Sequence, residues 1–334
     1  MSSSLVIQTS FLGDVILTTP LVATLAERGP VDVITTPAAA PLLANHPAVR
    51  TVLAYDKRGA DRGAGGMWRL AARLRAARYE AAYLAQGSHR SGALAWMAGI
   101  GRRVGFDTSA GRFWYTERVR HRGDRHHAER LWRLATGDDA DAPGGLRPRL
   151  YPGDADHAAA ARFLDAAGGA PVVALAPGSI WGTKRWPHFP ALASALASDA
   201  HLVVLGSGAD VPFAAEITSA AGRARVTDVT GRLSLLGAAA LLARCAALVT
   251  NDSAPLHLAS AMATPTVAVF GPTVPAFGFG PLAPRHRVME MTGLDCRPCH
   301  AHGPATCPLG HFKCMRDVPA AFVAAAVRDM LATG

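Results

Sequence analysis

Lysine is scarce in this chain. Lys57, Lys184 and Lys313 are the only three, although Lys and Arg together number 34. Where arginine fills nearly every basic position, a lysine kept at 184 points to a need for a compact point charge. Long apolar runs are also missing. The richest window, 233–249, is interrupted by Arg244, and nothing approaches the roughly 20 residues that a spanning helix needs. The opening MSSSLVIQTS has no basic region and Asp14 follows soon after, which argues against a secretory signal. The expectation is a soluble, cytoplasmic protein that at most touches a membrane. No G-x-G-x-x-G opens a strand–helix unit with an acidic residue about 20 positions on, which disfavours a dinucleotide-dependent dehydrogenase. No basic sheet carries interleaved aromatics, so a nucleic-acid-binding protein with a cysteine metal module, which the net charge of +9 suggests, lacks a recognition surface.

What is present fits a large α/β protein. The chain has 334 residues, of which 50% are hydrophobic and 18% charged, enough for two packed domains. Apolar runs at 5–8, 31–35, 52–55, 79–85 and 104–106 read as strands, and so do 172–176, 201–206, 247–250 and 265–270. Helical segments alternate with them, the pattern of a doubly wound parallel sheet. A helix over 15–28 contains Pro20, which marks a kink or a first-turn position. The Gly-, Pro- and Asp-rich stretch 137–155 reads as a linker, giving domains 1–150 and 151–334. Charge divides unevenly between them: 21 Lys and Arg against 13 Asp and Glu in the first, 13 against 12 in the second. The first half is built to meet something anionic.

Chemistry concentrates where strands end. VVALAPGSIWGTKRWP (172–187) and ALVTNDSAPLHLAS (247–260) are each an apolar run that breaks into small and polar residues, then restarts as a helix. In an open parallel sheet, ligands bind beyond the carboxyl ends of the strands. Lys184 and Asp252 would therefore face one ligand. Gly178 and Ser179, Gly206 and Ser207, Ser253, and the Gly271–Thr273 turn supply close backbone approach and helix N-termini suited to phosphate. A cation and a carboxylate in such a crevice suit a sugar nucleotide, with Thr183 and Lys184 at the diphosphate and Asp252 at hydroxyls. A cation there stabilises the charge that develops as a nucleoside diphosphate leaves. Asp14, after Gly13 at a helix start, reads from the sequence alone as a cap. Cys296, Cys299, Cys307 and Cys314 lie within 19 residues of one another in a loop over 293–317, which points to structural Zn or Fe, with reduced thiols in a packed loop as the other reading. The Asp-rich spots at 138–141 and 154–156 read as solvated loop.

GDVILTTPL near the start, PGSIWGTKRWP in the middle and NDSAPLHLASAMATPTVAVFGPT late in the chain resemble the ADP-heptose:lipopolysaccharide heptosyltransferases of glycosyltransferase family 9. The LDCRPC…GHFKC tail resembles the heptosyltransferase II branch. The resemblance covers both domains in order. It implies a GT-B-like fold, two Rossmann-like doubly wound domains facing across a cleft, with 1–150 binding the acceptor and 151–334 the donor. It also implies metal-independent, inverting transfer of heptose from ADP-heptose to the lipopolysaccharide inner core at the cytoplasmic face of the inner membrane. Asp14 becomes the catalytic base, in place of the cap reading. Lys184 stabilises departing ADP with Thr183 beside it, Gly206 and Ser207 flank the adenosine, and Asp252 binds heptose hydroxyls near Ser253 and His257. Arg90, with His89, faces an anionic acceptor of Kdo, heptose and lipid A. The family usually carries Gly where this chain has Ala254. Relatives that heptosylate autotransporter proteins bind iron through a four-cysteine motif, which keeps a protein acceptor open.

Overall fold

The structure is a computed structural model that describes residues 3–333. The chain divides into two compact units, Met1–Tyr151 and Pro152–Gly334. The first holds β1 (Ser4–Ile7), β2 (Val31–Thr35), β3 (Thr51–Ala54), β4 (Ala81–Tyr83), β5 (Arg102–Phe106) and β6 (Glu117–Val119). The second holds β7 (Val172–Ala176), β8 (His201–Val204), β9 (Val226–Asp228), β10 (Ala247–Asn251), β11 (Thr266–Phe270) and β12 (His286–Glu290). Every pairing is parallel. The spatial order in the first unit is β3-β2-β1-β4-β5-β6, and in the second β9-β8-β7-β10-β11-β12. Both are the Rossmann order, so the doubly wound α/β reading holds for each unit.

The central strands are apolar along their whole length because both faces are covered. In the second unit Val173, Leu175, Leu202, Val204, Val249, Val267 and Val269 share one core with Phe189, Leu192 and Leu196 of helix Phe189–Leu196 and with Val323 and Val327 of helix Ala320–Ala332. The alternate residues Ala268 and Phe270 point to the other face, against Leu256. This is the period of two expected of a pleated strand. In the first unit Leu5, Ile7, Ile34 and Leu53 pack on Leu70, Ala71 and Leu74 of helix Gly63–Ala77 and on Leu94 of helix His89–Met97. Each such fully buried leucine contributes about 1.5–3 kcal/mol. The apolar stripe of helix Gly63–Ala77 is thus committed to the core.

The structure corrects the sequence in two places. The expected helix over 15–28 is two, Leu12–Leu17 and Thr19–Ala26, and Pro20 lies in the first turn of the second, where its missing N–H costs nothing. Asp154 and Asp156 are not solvated loop. They open helix Asp154–Leu164, where Asp156 accepts from the Gly153 N–H at 3.0 Å and from the Ser234 hydroxyl at 2.8 Å. Asp138, Asp139 and Asp141 do stand exposed in a loop, with Asp138 accepting from the Arg120 N–H at 3.0 Å.

Candidate active site

In this strand order a crevice opens beyond the carboxyl ends of the first and fourth strands, where the winding reverses. In the second unit these are β7 and β10. The loop after β7 runs through a short 3-10 turn, Gly182–Lys184, before helix Phe189–Leu196. Asn251, the last residue of β10 and fully buried, holds both ends of that loop. Its Oδ1 accepts from the Trp186 N–H at 3.1 Å, and its Nδ2 donates to the Pro177 carbonyl at 2.7 Å. Trp186 is fixed in turn, its indole N–H donating to the Val318 carbonyl at 3.0 Å.

The loop thereby delivers Lys184 to Asp252. The ammonium donates to Asp252 Oδ2 at 2.6 Å, and the Thr273 hydroxyl donates to the same oxygen at 2.7 Å. Lys184 and Asp252 are each 8% exposed. Charges so buried persist because they are paired and hydrogen-bonded. Asp252 Oδ1 accepts no hydrogen bond among the described residues, and the ammonium has two further protons to offer.

The other expected donor residues fall around this pair in different ways. Gly178 and Gly206 do allow a close approach, but by a side chain of the protein: a Cβ at Gly178 would sit 2.3 Å from Asp210 Oδ1, and one at Gly206 2.8 Å from Asp210 Cβ. Ser207 donates to Asp210 Oδ2 through both N–H and hydroxyl, each at 2.8 Å. Ser179 Oγ accepts from the Trp181 N–H at 3.3 Å. The Thr183 hydroxyl donates to the Pro304 carbonyl, a contact within the protein rather than an open donor for phosphate. Ser253 is the N-cap residue of helix Ala254–Met262, and His257 is buried in that helix with its ring 6.4 Å from Phe279.

In the first unit the equivalent ends are those of β1 and β4. Asp14 stands in the first turn of helix Leu12–Leu17, accepts from the Phe11 N–H at 3.2 Å and lies 3.5 Å from His127 Nε2. Gln86, after β4, accepts at Oε1 from Thr9 Oγ1 at 2.8 Å and from Ser91 Oγ at 2.9 Å. Lys57 donates to the Thr9 carbonyl at 2.7 Å; burial, then the charges of Arg58 and Arg90, hold its pKa below the ordinary lysine value. His89 and Arg90 line a surface cavity of about 380 Å³ with Met67, Ala93 and Trp114.

Nothing among the described residues supports a metal at the cysteine loop. Among the described residues, no group of three or more His, Cys, Asp or Glu side chains is arranged to hold an ion. The four thiols lie near enough to act on one another, but they differ in burial and in hydrogen bonding. Cys314 is buried in the core of its unit, and burial, then the neighbouring thiols, push its pKa up to about 11. Cys299 is exposed, and Cys296 Sγ lies 3.9 Å from His311 Nε2. At Cys307 the N–H groups of residues 309–312 outweigh desolvation and hold the thiol below its usual value. The expected structural Zn or Fe is not supported, and cysteines 296, 299, 307 and 314 are read as reduced thiols in a packed loop.

Comparison with known proteins now decides the family. The profile of glycosyltransferase family 9 (heptosyltransferase) matches residues 67–309. The chain belongs to glycosyltransferase family 9. This family 9 chain is 31% identical over 307 residues to lipopolysaccharide heptosyltransferase 2 of Escherichia coli K12, covering 86% of one and 87% of the other. It is also 31% identical over 314 residues to lipopolysaccharide heptosyltransferase 1 of Pseudomonas aeruginosa, covering 88% and 85%. The solved structure of E. coli ADP-heptose lps heptosyltransferase II superposes with a TM-score of 0.82 at 27% identity, over 100% of this chain and 99% of that one. The fold is of the GT-B class.

Sequence reasoning about this family 9 glycosyltransferase passed over Asn251, Asp210 and His127, and took Thr273 only as part of a turn. Asn251 had a signal, since it lies in the NDS strand end. Asp210 and His127 had none, because their contacts come from elements distant in sequence or from an exposed loop.

Proposed function

We propose that this glycosyltransferase moves a heptose from ADP-heptose to the inner core of lipopolysaccharide, with inversion at the anomeric carbon. The observation that carries the reading is the Lys184–Asp252–Thr273 cluster at the β7/β10 switch point. It offers a fixed ammonium for a departing diphosphate and one free carboxylate oxygen for a sugar hydroxyl. Solvent-excluded charges of this kind act strongly on charge that develops in a transition state.

In this reaction an acceptor hydroxyl oxygen bonds to the anomeric carbon as the bond from that carbon to the β-phosphate oxygen breaks. ADP leaves with the electron pair, and Lys184 Nζ meets the charge. Asp14 takes the hydroxyl proton. Asp14, in the first turn of its helix and 3.5 Å from His127 Nε2, orients the hydroxyl and accepts its proton. Asp252 Oδ1 binds a heptose hydroxyl. Lys57, His89 and Arg90 receive the anionic groups of the acceptor, in keeping with the excess of basic residues in 1–150.

Peripheral contact with the inner membrane goes with a lipid-borne acceptor. Trp68, Trp96 and Phe113 are well exposed on the same arginine-rich unit, a composition suited to a headgroup layer.

A donor and acceptor screen tests the reading. ADP-heptose is compared with UDP- and GDP-sugars on Kdo-lipid A, on heptosylated Kdo-lipid A and on an autotransporter polypeptide, with products weighed by mass spectrometry. Transfer from ADP-heptose to a lipid acceptor is expected. Transfer only from another nucleotide sugar, or only to the polypeptide, would reject it.

A further inference from the structure

The cysteine loop lies across the turn that carries Lys184. Three of its residues run antiparallel to three residues of that turn. Gly303 abuts Lys184: a Cβ built there would lie 3.2 Å from Lys184 Cγ and Cε and 3.3 Å from Pro272 Cγ. Pro304 accepts the Thr183 hydroxyl at its carbonyl. The Ala305 carbonyl oxygen is 2.6 Å from where a Cβ of Gly182 would stand. The loop is anchored on the far side of the site as well. Cys299 N–H donates to the Pro272 carbonyl at 3.0 Å, and the Arg297 guanidinium donates to the carbonyls of Thr273 at 3.0 Å and Met291 at 2.8 Å while pairing with Glu290. One loop thus supports both groups that donate to Asp252 Oδ2.

We infer that the cysteine loop is the wall that seats the Lys184 side chain, and that Gly303 is a positioning residue for its ammonium. Lysine is a flexible four-carbon chain that loses about 2 kcal/mol of rotamer freedom when it is fixed. A wall on one side and Asp252 on the other leave it one arrangement, so the cation stands ready before charge develops. Gly303 is required for two separable reasons. Its φ of +83° is left-handed, and its missing side chain makes room for the lysine stem. The inference rests on the reading that Lys184 meets the departing diphosphate.

The test separates those two reasons. Gly310 has a φ of +72°, in the same loop, but a Cβ there would meet nothing within 4 Å. Gly303→Ala and Gly310→Ala carry similar backbone strain, so both lower the unfolding temperature, Gly303→Ala somewhat more because its Cβ also crowds Lys184 and Pro272. Only Gly303→Ala displaces Lys184. It is expected to lower kcat on ADP-heptose by about fivefold to tenfold, the scale of a shift of a few tenths of an ångström, with a smaller change in KM. Gly310→Ala is expected to keep the wild-type kcat. Gly303→Asn tolerates left-handed backbone and still carries a Cβ, so it serves where the alanine variant does not fold. A crystal structure of the Gly303 variant should show Lys184 Nζ moved off Asp252 Oδ2. A Gly303 variant with wild-type kcat and the 2.6 Å contact intact would overturn the inference. Equal loss in both alanine variants would overturn it too. If Lys184→Ala turns over like wild type, the role of Lys184 falls instead, and the crystal structure alone decides whether Gly303 seats it.

Discussion

Lys184 and Asp252 form an ion pair in which one carboxylate oxygen carries both protein contacts and the other carries none. The pair binds its partners through opposite faces of one group, so removing either member has two separable effects. Lys184→Met should lower kcat by about 10²–10³, the loss seen when a transition-state charge donor is removed. It should also destabilise the second unit, because Asp252 is left buried without its cation. Adding Asp252→Asn should restore much of the stability and none of the turnover. Thermal unfolding beside steady-state kinetics reads both.

Asp14 serves as a cap and is proposed as a base, and a single substitution distinguishes the two. Asn accepts the Phe11 N–H as Asp does but takes no proton. Asp14→Asn should therefore keep the melting temperature and lose transfer, with ADP binding by calorimetry unchanged. Near-wild-type transfer by that variant would leave Asp14 a cap only.

His46 sets a pH limit on the first unit. Its Nδ1 accepts from the Ala48 N–H at 3.2 Å and its ring packs edge-on against Tyr151 at 4.9 Å. Burial pushes its pKa down to about 4 from the ordinary 6.5. Between those values the unfolded chain binds more protons than the folded one. Stability then falls as pH drops from 6.5 towards 4, by at most about 1.4 kcal/mol per pH unit. His46→Gln should flatten that slope relative to wild type in urea titrations at pH 7, 6 and 5.

The thiols should react in a set order. Cys307 is held below its usual pKa by the backbone N–H groups around it, whereas burial raises Cys245 to about 12 and, with neighbouring thiols, Cys314 to about 11. Brief iodoacetamide treatment followed by peptide mapping should label Cys307 well ahead of Cys314 and Cys245.

The membrane contact is also measurable. Replacing Trp68, Trp96 and Phe113 by alanine removes exposed rings and little core packing. The triple variant should sediment less with anionic vesicles while its kcat on a detergent-dispersed acceptor stays within about twofold, the ordinary consequence of surface substitutions.

The doubly wound fold was legible because its central strands are continuous apolar runs. The strands that escaped notice were β6, β9 and β12, with sequences ERV, VTD and HRVME. All three are edges of their sheets, where one side faces no neighbour and side chains stay partly wet. Such strands need no apolar run and leave no periodicity to read. At the site, the strand-end motifs directed attention to Lys184 and Asp252. Gly178 and Gly206 were read as ligand-facing because a glycine announces close approach without saying by what. In the fold Asp210 fills that space. The cysteine spacing does mark one neighbourhood, since the four thiols act on one another's pKa, but among the described residues no three ligands converge to hold an ion.

Asn251 closes the chain between Pro177 and Trp186 into a ring, with its own amide as the clasp. Within that ring Gly178 and Gly182 leave no room for a side chain, and Thr183 is tied to Pro304. Its length is fixed too: one residue inserted or deleted between the two clasped peptides changes the chain within it by about 3.8 Å, enough to carry the Lys184 amine off Asp252.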